Sequence, residues 1–184
     1  VAREAFKAGE LDFFSEHSAK EWAKAYNFSA VDKKHVIKEE IPDLTSPGMQ
    51  AFVFNTRRTI FSDRKVREAI GKAFDFEWLN QNIFYNQYKR TTSFFQNTEL
   101  ASRGIPHGLE LEYLEPHRSI LPEDLFTQQY RLPVTDGSGN PRRQLREAAT
   151  LLKEAGWNIE NDRLINENNE LLKFEITIVQ PSLE

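Results

Sequence analysis

The sequence predicts an α/β fold, because helix patterns and strand patterns alternate along it. The segment from Gly9 to Tyr26 has the pattern of a helix end, a strand, a polar turn and a second helix. The short and wholly apolar run Ala51–Phe54 precedes a helix whose apolar residues recur at the spacing of one buried face. Near the end, Leu171–Val179 alternates apolar and polar residues, as a half-buried strand does. Such alternation is typical of helices layered on a sheet.

The first predicted elements lie in the first twenty-six residues. Val1–Ala8 is expected to be a helix. Gly9 would end it, since glycine is favoured directly after the C-cap of a helix. Leu11–Phe14 is expected to be a short strand. Ser18 with Glu21 has the spacing of a capping box and predicts the start of a second helix.

The central predicted unit is a strand followed by two helices. Ala51–Phe54 is expected to be a strand covered on both faces, and His35–Ile41 is a weaker strand candidate. Ser62 is predicted as the N-cap of the first helix and Asp75 as the N-cap of the second, Phe76–Asn86. The first helix presents a continuous apolar face, made of Val66, Ala69, Ile70, Ala73 and Phe74.

The last third of the chain begins with a predicted short helix within Glu110–Arg118 and a long surface excursion over residues 119–143. Asn140 is expected to cap a helix that has Pro141 at its first position. Gly156 is expected to end this helix in a Schellman motif with Trp157 as the apolar contact. A β-hairpin is then predicted, with its strands at Leu164-Ile165 and Leu171–Val179 and an Asn-rich turn between them.

The composition argues against several classes of protein. The 184 residues carry a net charge of −4 and no cysteine, and their mean hydropathy is −0.61. The absence of cysteine excludes a disulfide framework and a cysteine metal site. The negative charge argues against a nucleic-acid surface, and no apolar run approaches the roughly 20 residues that cross a bilayer.

Two segments have some of the residues of a metal site. His107, His117 and three glutamates share an eleven-residue window, but proline and glycine interrupt the element and no zinc-protease spacing occurs. The segment from Asp136 to Glu147 has several oxygen ligands of a calcium loop, but Pro141 stands where that loop requires glycine. We therefore predict no metal, no cofactor and, in the absence of a nucleophile motif, no catalytic residue.

The loops that follow the predicted strands are the candidate ligand sites, since ligands of open α/β sheets bind beyond the carboxyl ends of the strands. These loops contain Ser15 and Glu16, then Asn55–Arg58, then Gln180. The alternative for each is a turn that only satisfies its own backbone. Arg67, inside the first central helix, is expected to be a structural ion-pair partner.

The central unit also carries a family resemblance. Phe54-Asn55, Phe61, Asp63, Val66–Ile70 and Ala73 match a recurring pattern, and the sequence resembles that of the bacterial extracellular solute-binding proteins of peptide and nickel ABC importers. The continuation over residues 76–106 is similar to the subgroup that takes up oligopeptides and microcin C. The stretches AFKAGELDFF and LREAATLLKEAGW match the same family.

This resemblance implies a periplasmic-binding-protein-like (type II) lobe, with a mixed sheet flanked by helices. Residues 1–184 would supply most of the second lobe of a longer, exported periplasmic protein whose first lobe is absent here. A peptide or peptide-like solute would be enclosed between the lobes and delivered to ABC permease subunits in the membrane, with no enzyme activity and no nucleic-acid partner.

The resemblance also implies ligand-binding residues. Ser15, Glu16, Asn55 and Gln180 are expected to line the cleft. The remaining candidates are two pairs: Arg57 and Arg58, whose guanidinium groups match a peptide carboxylate, and Phe94 and Phe95, which would form an apolar wall. Arginines are a departure from the commonest family pattern at this turn, where relatives carry neutral residues or lysine.

Two other functions remain open from the sequence. The same lobe occurs in transcription regulators that sense a solute, so a sensing domain is one alternative. A metal-dependent hydrolase lobe that uses the histidines of the His107–His117 window is the other.

Overall fold

The structure, a computed structural model, describes residues 2–42, 44–46 and 48–178. Within them the regular elements are short helices and one β-hairpin. They are α1 (Ala2–Lys7), α2 (Ala19–Lys24), α3 (Ser29–Asp32), α4 (Thr59–Ser62), α5 (Arg64–Ala73), α6 (Phe76–Asn82), α7 (Gly108–Leu114), a 3₁₀ turn (Glu115–His117), α8 (Asp124–Thr127), α9 (Arg142–Glu154), β1 (Asn158–Glu160) and β2 (Arg163–Ile165). No helix of the described residues is long and apolar enough to cross a membrane.

Helices α5 and α9 form the main packing unit and run antiparallel. Lys65 pairs with Glu154 and Lys72 pairs with Glu147, each at 2.9 Å between Nζ and Oε2, so residue numbers rise along one helix as they fall along the other. Ala69 of α5 is 1 % exposed, and a small side chain there lets the helices approach closely. The exposed ion pairs add little stability, and they report the register of the two helices.

The hydrophobic core lies at one end of this helix pair. Phe61, Val66 and Trp157 are buried together, and side chains from several elements pack around them. The Phe61 ring lies 5.2 Å from that of Phe54 and 5.4 Å from that of Phe174, measured between centroids. The segment before α4 and the segment after the hairpin are therefore attached to one core.

The start of α5 differs from the prediction by one residue. Asp63, not Ser62, is the N-cap, and its Oδ1 accepts a 2.7 Å hydrogen bond from Lys65 N. Ser62 instead ends the separate short helix α4. Burial of Phe61 in the core explains this result. The buried ring fixes α4 as a separate helix that ends at Ser62, so Asp63 is the first residue that can cap α5.

Arg67 binds the backbone and forms no ion pair within the described part of the chain. Its Nη1 donates to the carbonyl oxygens of Phe61 and Ser62 at 2.6 and 2.8 Å. These carbonyls lie at the end of α4, where the helix itself supplies no donor. Arg67 therefore caps the carboxyl end of α4, and the predicted role as an ion-pair partner is wrong for the described part of the chain.

The predicted ends of α6 and α9 are partly confirmed. Asp75 caps α6 by accepting a hydrogen bond from Trp78 N at 3.0 Å, but the helix ends at Asn82, before two left-handed residues at Tyr85 and Asn86. α9 begins after Pro141, so Asn140 lies outside the cap.

The Schellman motif at the end of α9 is confirmed. Gly156 has a φ of 84°, its N–H donates to the carbonyl of Lys153, and Trp157 N donates to that of Leu152 at 3.0 and 2.9 Å respectively. Trp157 then enters the core, so the turn at this glycine aims the ring at α5.

The predicted mixed sheet is not formed among the described residues, where the one sheet is the antiparallel hairpin β1–β2. Leu11–Phe14, His35–Ile41 and Ala51–Phe54 carry no strand pairing in that part of the chain. A strand needs a neighbour to pair its backbone N–H and C=O groups, and the described residues supply no such partner to these segments.

The predicted C-terminal hairpin is formed over its first residues. Ile165 and Leu171 form a bridge, Asn166 N donates to the Glu170 carbonyl at 3.1 Å, and Leu172 N donates to the Leu164 carbonyl at 2.9 Å. β2 also pairs with β1, through a tight turn at Asn161 and Asp162 whose φ angles are 49° and 60°. Two left-handed residues are typical of a type I′ turn, and this turn was missed because Asn-Asp is a weaker signal than Asn-Gly. Val179 lies outside the described residues.

The predicted short helix in Glu110–Arg118 is confirmed as α7 and the 3₁₀ turn that follows it. Arg118 joins this element to α8: its guanidinium lies 4.0 Å above the Phe126 ring and donates to the carboxylates of Glu115 and Glu123 at 2.8 Å.

Candidate functional site

The loop before α2 is organised by Glu16. Its Oε2 accepts hydrogen bonds from Arg3 Nε at 2.9 Å and Tyr26 Oη at 3.0 Å, and its Oε1 accepts from the N–H groups of His17 and Ser18 at 3.1 Å. The Glu16 side chain is 6 % exposed. Its carboxylate therefore holds the loop in place from the inside.

These contacts alter the pKa values of the two groups that share a hydrogen bond. Burial acts to raise the pKa of Glu16, but the hydrogen bonds from Ser18, Arg3 and Tyr26 outweigh it, and the pKa is lowered. Burial, together with the bond to Glu16, raises the pKa of Tyr26 to about 12. Ser15, beside this cluster, is exposed.

The turn Asn55–Arg58 follows the extended run Ala51–Phe54. Asn55 Oδ1 accepts from Arg57 N at 3.2 Å, and the Asn55 carbonyl accepts from Arg58 N at 3.0 Å. Both arginines are exposed, and neither guanidinium has a hydrogen-bond or ion-pair partner among the residues that the structure describes. The turn thus satisfies its own backbone and leaves two cations facing outward.

Phe94 and Phe95 lie on a turn, and their side chains are 76 % and 53 % exposed. Ser93 Oγ accepts from Phe95 N at 3.2 Å and from Ser102 N at 3.1 Å, which holds the turn closed. The pair is therefore presented on the surface by a braced loop.

The described contacts do not bring the predicted groups together. No hydrogen bond, ion pair or ring contact within residues 2–42, 44–46 and 48–178 joins the Glu16 loop, the turn Asn55–Arg58 and the Phe94-Phe95 pair. Gln180 lies outside the described residues. Whether these groups line one cleft stays a prediction.

Sequence reasoning missed a polar junction between α6 and the segment 133–137. Thr135 is 8 % exposed, and its N and Oγ1 donate to Glu77 Oε2 at 3.0 and 2.9 Å. Its Oγ1 also hydrogen-bonds Asp75 Oδ1. Asp75 Oδ2 is buried, with no hydrogen-bond partner in the described part of the chain.

A cavity of about 710 Å³ lies beside this junction, lined by α6, residues 86–92 and residues 129–137. Arg90 forms part of its wall and donates through Nη1 to the Pro133 carbonyl at 2.8 Å. The long excursion therefore returns to α6 and forms an open concave surface with it. No local pattern marks this contact, since its partners are 43 to 60 residues apart.

Metal-ligating side chains do not converge in the described chain, where no group of three His, Asp or Glu could hold an ion. The histidines and glutamates of the His107–His117 window instead lie along α7 and the 3₁₀ turn, where Glu115 is bound to Arg118.

Comparison with known proteins places the chain in a family. Residues 1–182 match the bacterial extracellular solute-binding proteins, family 5 (middle part). A protein of Escherichia coli K12 named "Uncharacterized protein YejA" is 45 % identical over 179 residues, which are 97 % of this chain and 30 % of that protein.

Two proteins of Agrobacterium fabrum are also similar. The "Probable peptide-binding protein YejA" is 44 % identical over 187 residues, 100 % of this chain and 30 % of that protein. The "Peptidoglycan-binding protein YepA" is 40 % identical over 189 residues, 98 % of this chain and 31 % of that protein. The chain thus spans about a third of the length of these relatives, and it belongs to the bacterial extracellular solute-binding proteins, family 5.

Proposed function

We propose that this chain is part of the substrate-binding component of an ABC importer that binds peptides or peptide-like solutes. The observation that carries the proposal is the family match over residues 1–182, together with a peptide-binding name for a relative that is 44 % identical. The protein would act in the periplasm, deliver its ligand to permease subunits in the membrane and catalyse no reaction. Binding of this kind requires shape, backbone hydrogen bonds and closure around the ligand, and no covalent step.

We propose further that the described residues are part of a type II lobe whose mixed sheet is completed by other parts of a longer protein. The accessible surface of the chain is 15,011 Å². A compact protein of 21.4 kDa would expose about 9,000 Å². The surplus supports a surface that the rest of the protein covers, which includes the extended run Ala51–Phe54.

The turn Asn55–Arg58 is the part of the chain that we propose faces the ligand most directly. Arg57 and Arg58 are cations without internal partners in the described chain, and a guanidinium matches a peptide carboxylate in a two-bond geometry. Their position at a turn beside α4 fits a cleft formed by loops at strand ends.

The other predicted residues take different parts in this proposal. Glu16 is bound internally, so its role is to hold the loop that presents Ser15. Phe94 and Phe95 offer exposed apolar surface for a ligand side chain, and Gln180 is proposed from the sequence alone.

The test uses the longer protein to which this chain belongs. We expect mass spectrometry of the purified protein to detect short peptides, and calorimetry to show binding of a synthetic tripeptide with a free carboxyl terminus. The double variant Arg57→Gln, Arg58→Gln should weaken that binding about ten-fold or more, since a charge-assisted pair contributes about 1.5–3 kcal/mol. The matched control is Lys33→Gln with Arg163→Gln, two exposed cations elsewhere on the chain. Equal affinity of the two double variants would contradict the role of the turn, and absence of any peptide binding would contradict the function.

A further inference from the structure

We propose that the cavity beside α6 is a second binding site, separate from the turn Asn55–Arg58, and that it takes a small organic anion with an aromatic body. It is lined by α6, residues 86–92 and residues 129–137. This inference goes beyond the proposed peptide site and does not depend on it.

The wall of the cavity is held by specific contacts. Thr135 is bound to Glu77 of α6, and Gln144, itself 9 % exposed, donates through Nε2 to the Val134 carbonyl at 2.7 Å. Asn80 of α6 donates to the Tyr88 carbonyl at 2.9 Å and accepts from Tyr88 N at 3.1 Å, which fixes the opposite wall. A site whose walls are ordered before binding loses less entropy when a ligand enters.

The unbalanced charge in the cavity is positive. Of its acidic residues, Glu77 already accepts from Thr135, and Asp136 accepts from Ser138 N at 3.0 Å. Lys89 and Arg131 line the cavity as well, and neither has a hydrogen-bond or ion-pair partner among the described residues. Both carboxylates keep their negative charge, so the lining has three cations, Lys89, Arg90 and Arg131, against these two anions. An anion in the cavity would therefore meet a net positive charge.

Arg90 adds a partly buried cation. Its guanidinium lies 5.5 Å from the Phe76 ring centroid and 5.7 Å from that of Phe74, and burial lowers its pKa. Within the described chain its one hydrogen bond goes to the Pro133 carbonyl, and it forms no ion pair, although the Glu77 carboxylate attracts it from a longer distance. A desolvated cation of this kind favours an anionic ligand, because the ligand replaces part of the lost hydration.

The rest of the lining combines apolar and aromatic side chains with polar ones, which are Asn80, Gln81, Asn86, Thr92, Gln129 and Thr135. Phe76, Tyr130, Leu132 and Val134 face the cavity, and Tyr130 and Val134 are 63 % and 66 % exposed. The volume of about 710 Å³ falls in the range of roughly 300–1,000 Å³ that small-molecule sites occupy. Cations beside aromatic and aliphatic surface favour a carboxylate attached to a ring.

The cavity is distant from the proposed peptide turn. The turn Asn55–Arg58 precedes the start of α5, whereas Phe76 and Glu77 follow its end. The two places therefore lie beyond opposite ends of α5, whose ten residues span about 15 Å. Substitutions at one place are therefore expected to leave the other intact.

The test is fluorine NMR on the longer protein with 4-fluorophenylacetate as the probe and neutral 4-fluorophenylacetamide as its comparison. We expect a Kd on the order of 1 mM for the acid, a usual value for a ligand of this size, and binding at least ten-fold weaker for the amide. Lys89→Gln with Arg131→Gln should weaken acid binding five-fold or more, whereas Lys33→Gln with Arg163→Gln and Arg57→Gln with Arg58→Gln should leave it unchanged.

The proposal would be overturned by absence of acid binding up to 20-fold above the expected Kd, by equal binding of acid and amide, or by equal losses in the cavity variant and the Lys33, Arg163 control. Loss of acid binding in the Arg57, Arg58 variant would place the probe at the peptide turn and would also overturn it. Peptide binding measured on the same variants separates this result from the proposed function, since the cavity variant should retain it.

Discussion

The Glu16 carboxylate accepts hydrogen bonds from two side chains and two backbone N–H groups while its side chain is 6 % exposed. A buried charge is tolerated only when it is hydrogen-bonded on several sides. Glu16 therefore links α1, through Arg3, to the loop and helix that follow. Together with the Arg3–Glu21 pair, this side chain holds α1 against the segment that follows.

Glu16→Gln is expected to lower the free energy of unfolding by about 1–3 kcal/mol, because an amide replaces the less exposed of the two carboxylates that bind Arg3. The other is Glu21, whose Oε2 accepts from Arg3 Nη1 at 2.7 Å. Urea unfolding followed by circular dichroism measures the change. The control is Glu4→Gln, since the Glu4 side chain is 72 % exposed in its pair with Lys7 and should contribute less than about 0.5 kcal/mol. Similar losses in the two variants would contradict the role of Glu16.

Tyr26 gives a prediction about pH. Its pKa is raised from 10.0 to about 12, chiefly by burial, so the folded state holds the phenolic proton more tightly than the unfolded state. The stabilisation is fully present below pH 10 and is lost as the pH rises from 10 to 12. We expect Tyr26→Phe to unfold with a shallower loss of stability across that window than the unchanged chain, as measured by urea midpoints at each pH. Parallel curves would show that Tyr26 does not contribute.

At the scale of elements, the segment after α8 is fitted closely to α6. A Cβ built on Gly139 would lie 2.7 Å from Trp78 Nε1, nearer than side-chain atoms approach, and the φ of Gly139 is 75°. The loop can therefore lie flat on the Trp78 ring only because this residue has no side chain. This contact continues the wall that Thr135 and Gln144 anchor.

Gly139→Ala is expected to destabilise the chain by about 1–3 kcal/mol more than Gly104→Ala, through overpacking against Trp78. The two glycines share a left-handed backbone, with φ angles of 75° and 70°, but nothing lies within 4 Å of a Cβ on Gly104. Because both alanine variants carry the same cost of a left-handed backbone, the difference between their stabilities reports the contact with Trp78 alone. Thermal unfolding measures it, and equal melting temperatures would contradict the close contact.

In the part of the chain that the structure describes, two extended segments pack on the core without strand partners. Phe54 and Phe174 both pack on Phe61, yet neither Ala51–Phe54 nor the residues that follow Phe174 up to 178 pair in a ladder within the described chain. Large side chains are exposed there, with Val53 at 91 % and Ile176 at 64 %. Such a surface is typical of one that another part of a protein covers.

Hydrogen exchange tests this proposal directly. We expect the backbone amides of residues 51–54 and 173–178 to exchange at least 100-fold more slowly in the longer protein than in the 184-residue chain, because strand pairing protects them. The amides of α9 provide the internal comparison, since their hydrogen bonds lie within the helix in both cases. Equal exchange of the extended segments in the two proteins would rule out strand partners supplied by the longer chain.

Local features were predictable from the sequence. The cap at Asp75 and the Schellman motif at Gly156 depend on residues within five positions of each other, so the sequence alone contains the signal. The cap of α5 was misplaced because Ser62 and Asp63 are both good N-cap residues. The choice between them follows from where Phe61 packs, which is a tertiary contact.

Short-range patterns and backbone preferences were enough to identify the family, to place the main helices and to mark Asn55–Arg58 as a turn. Long-range packing sets the internal binding of Glu16 and the contact of Thr135 with α6 beside a cavity. These contacts connect residues 10 to 60 positions apart. Their partners are selected by packing and by the need to satisfy buried polar groups, and neither is visible in a local pattern.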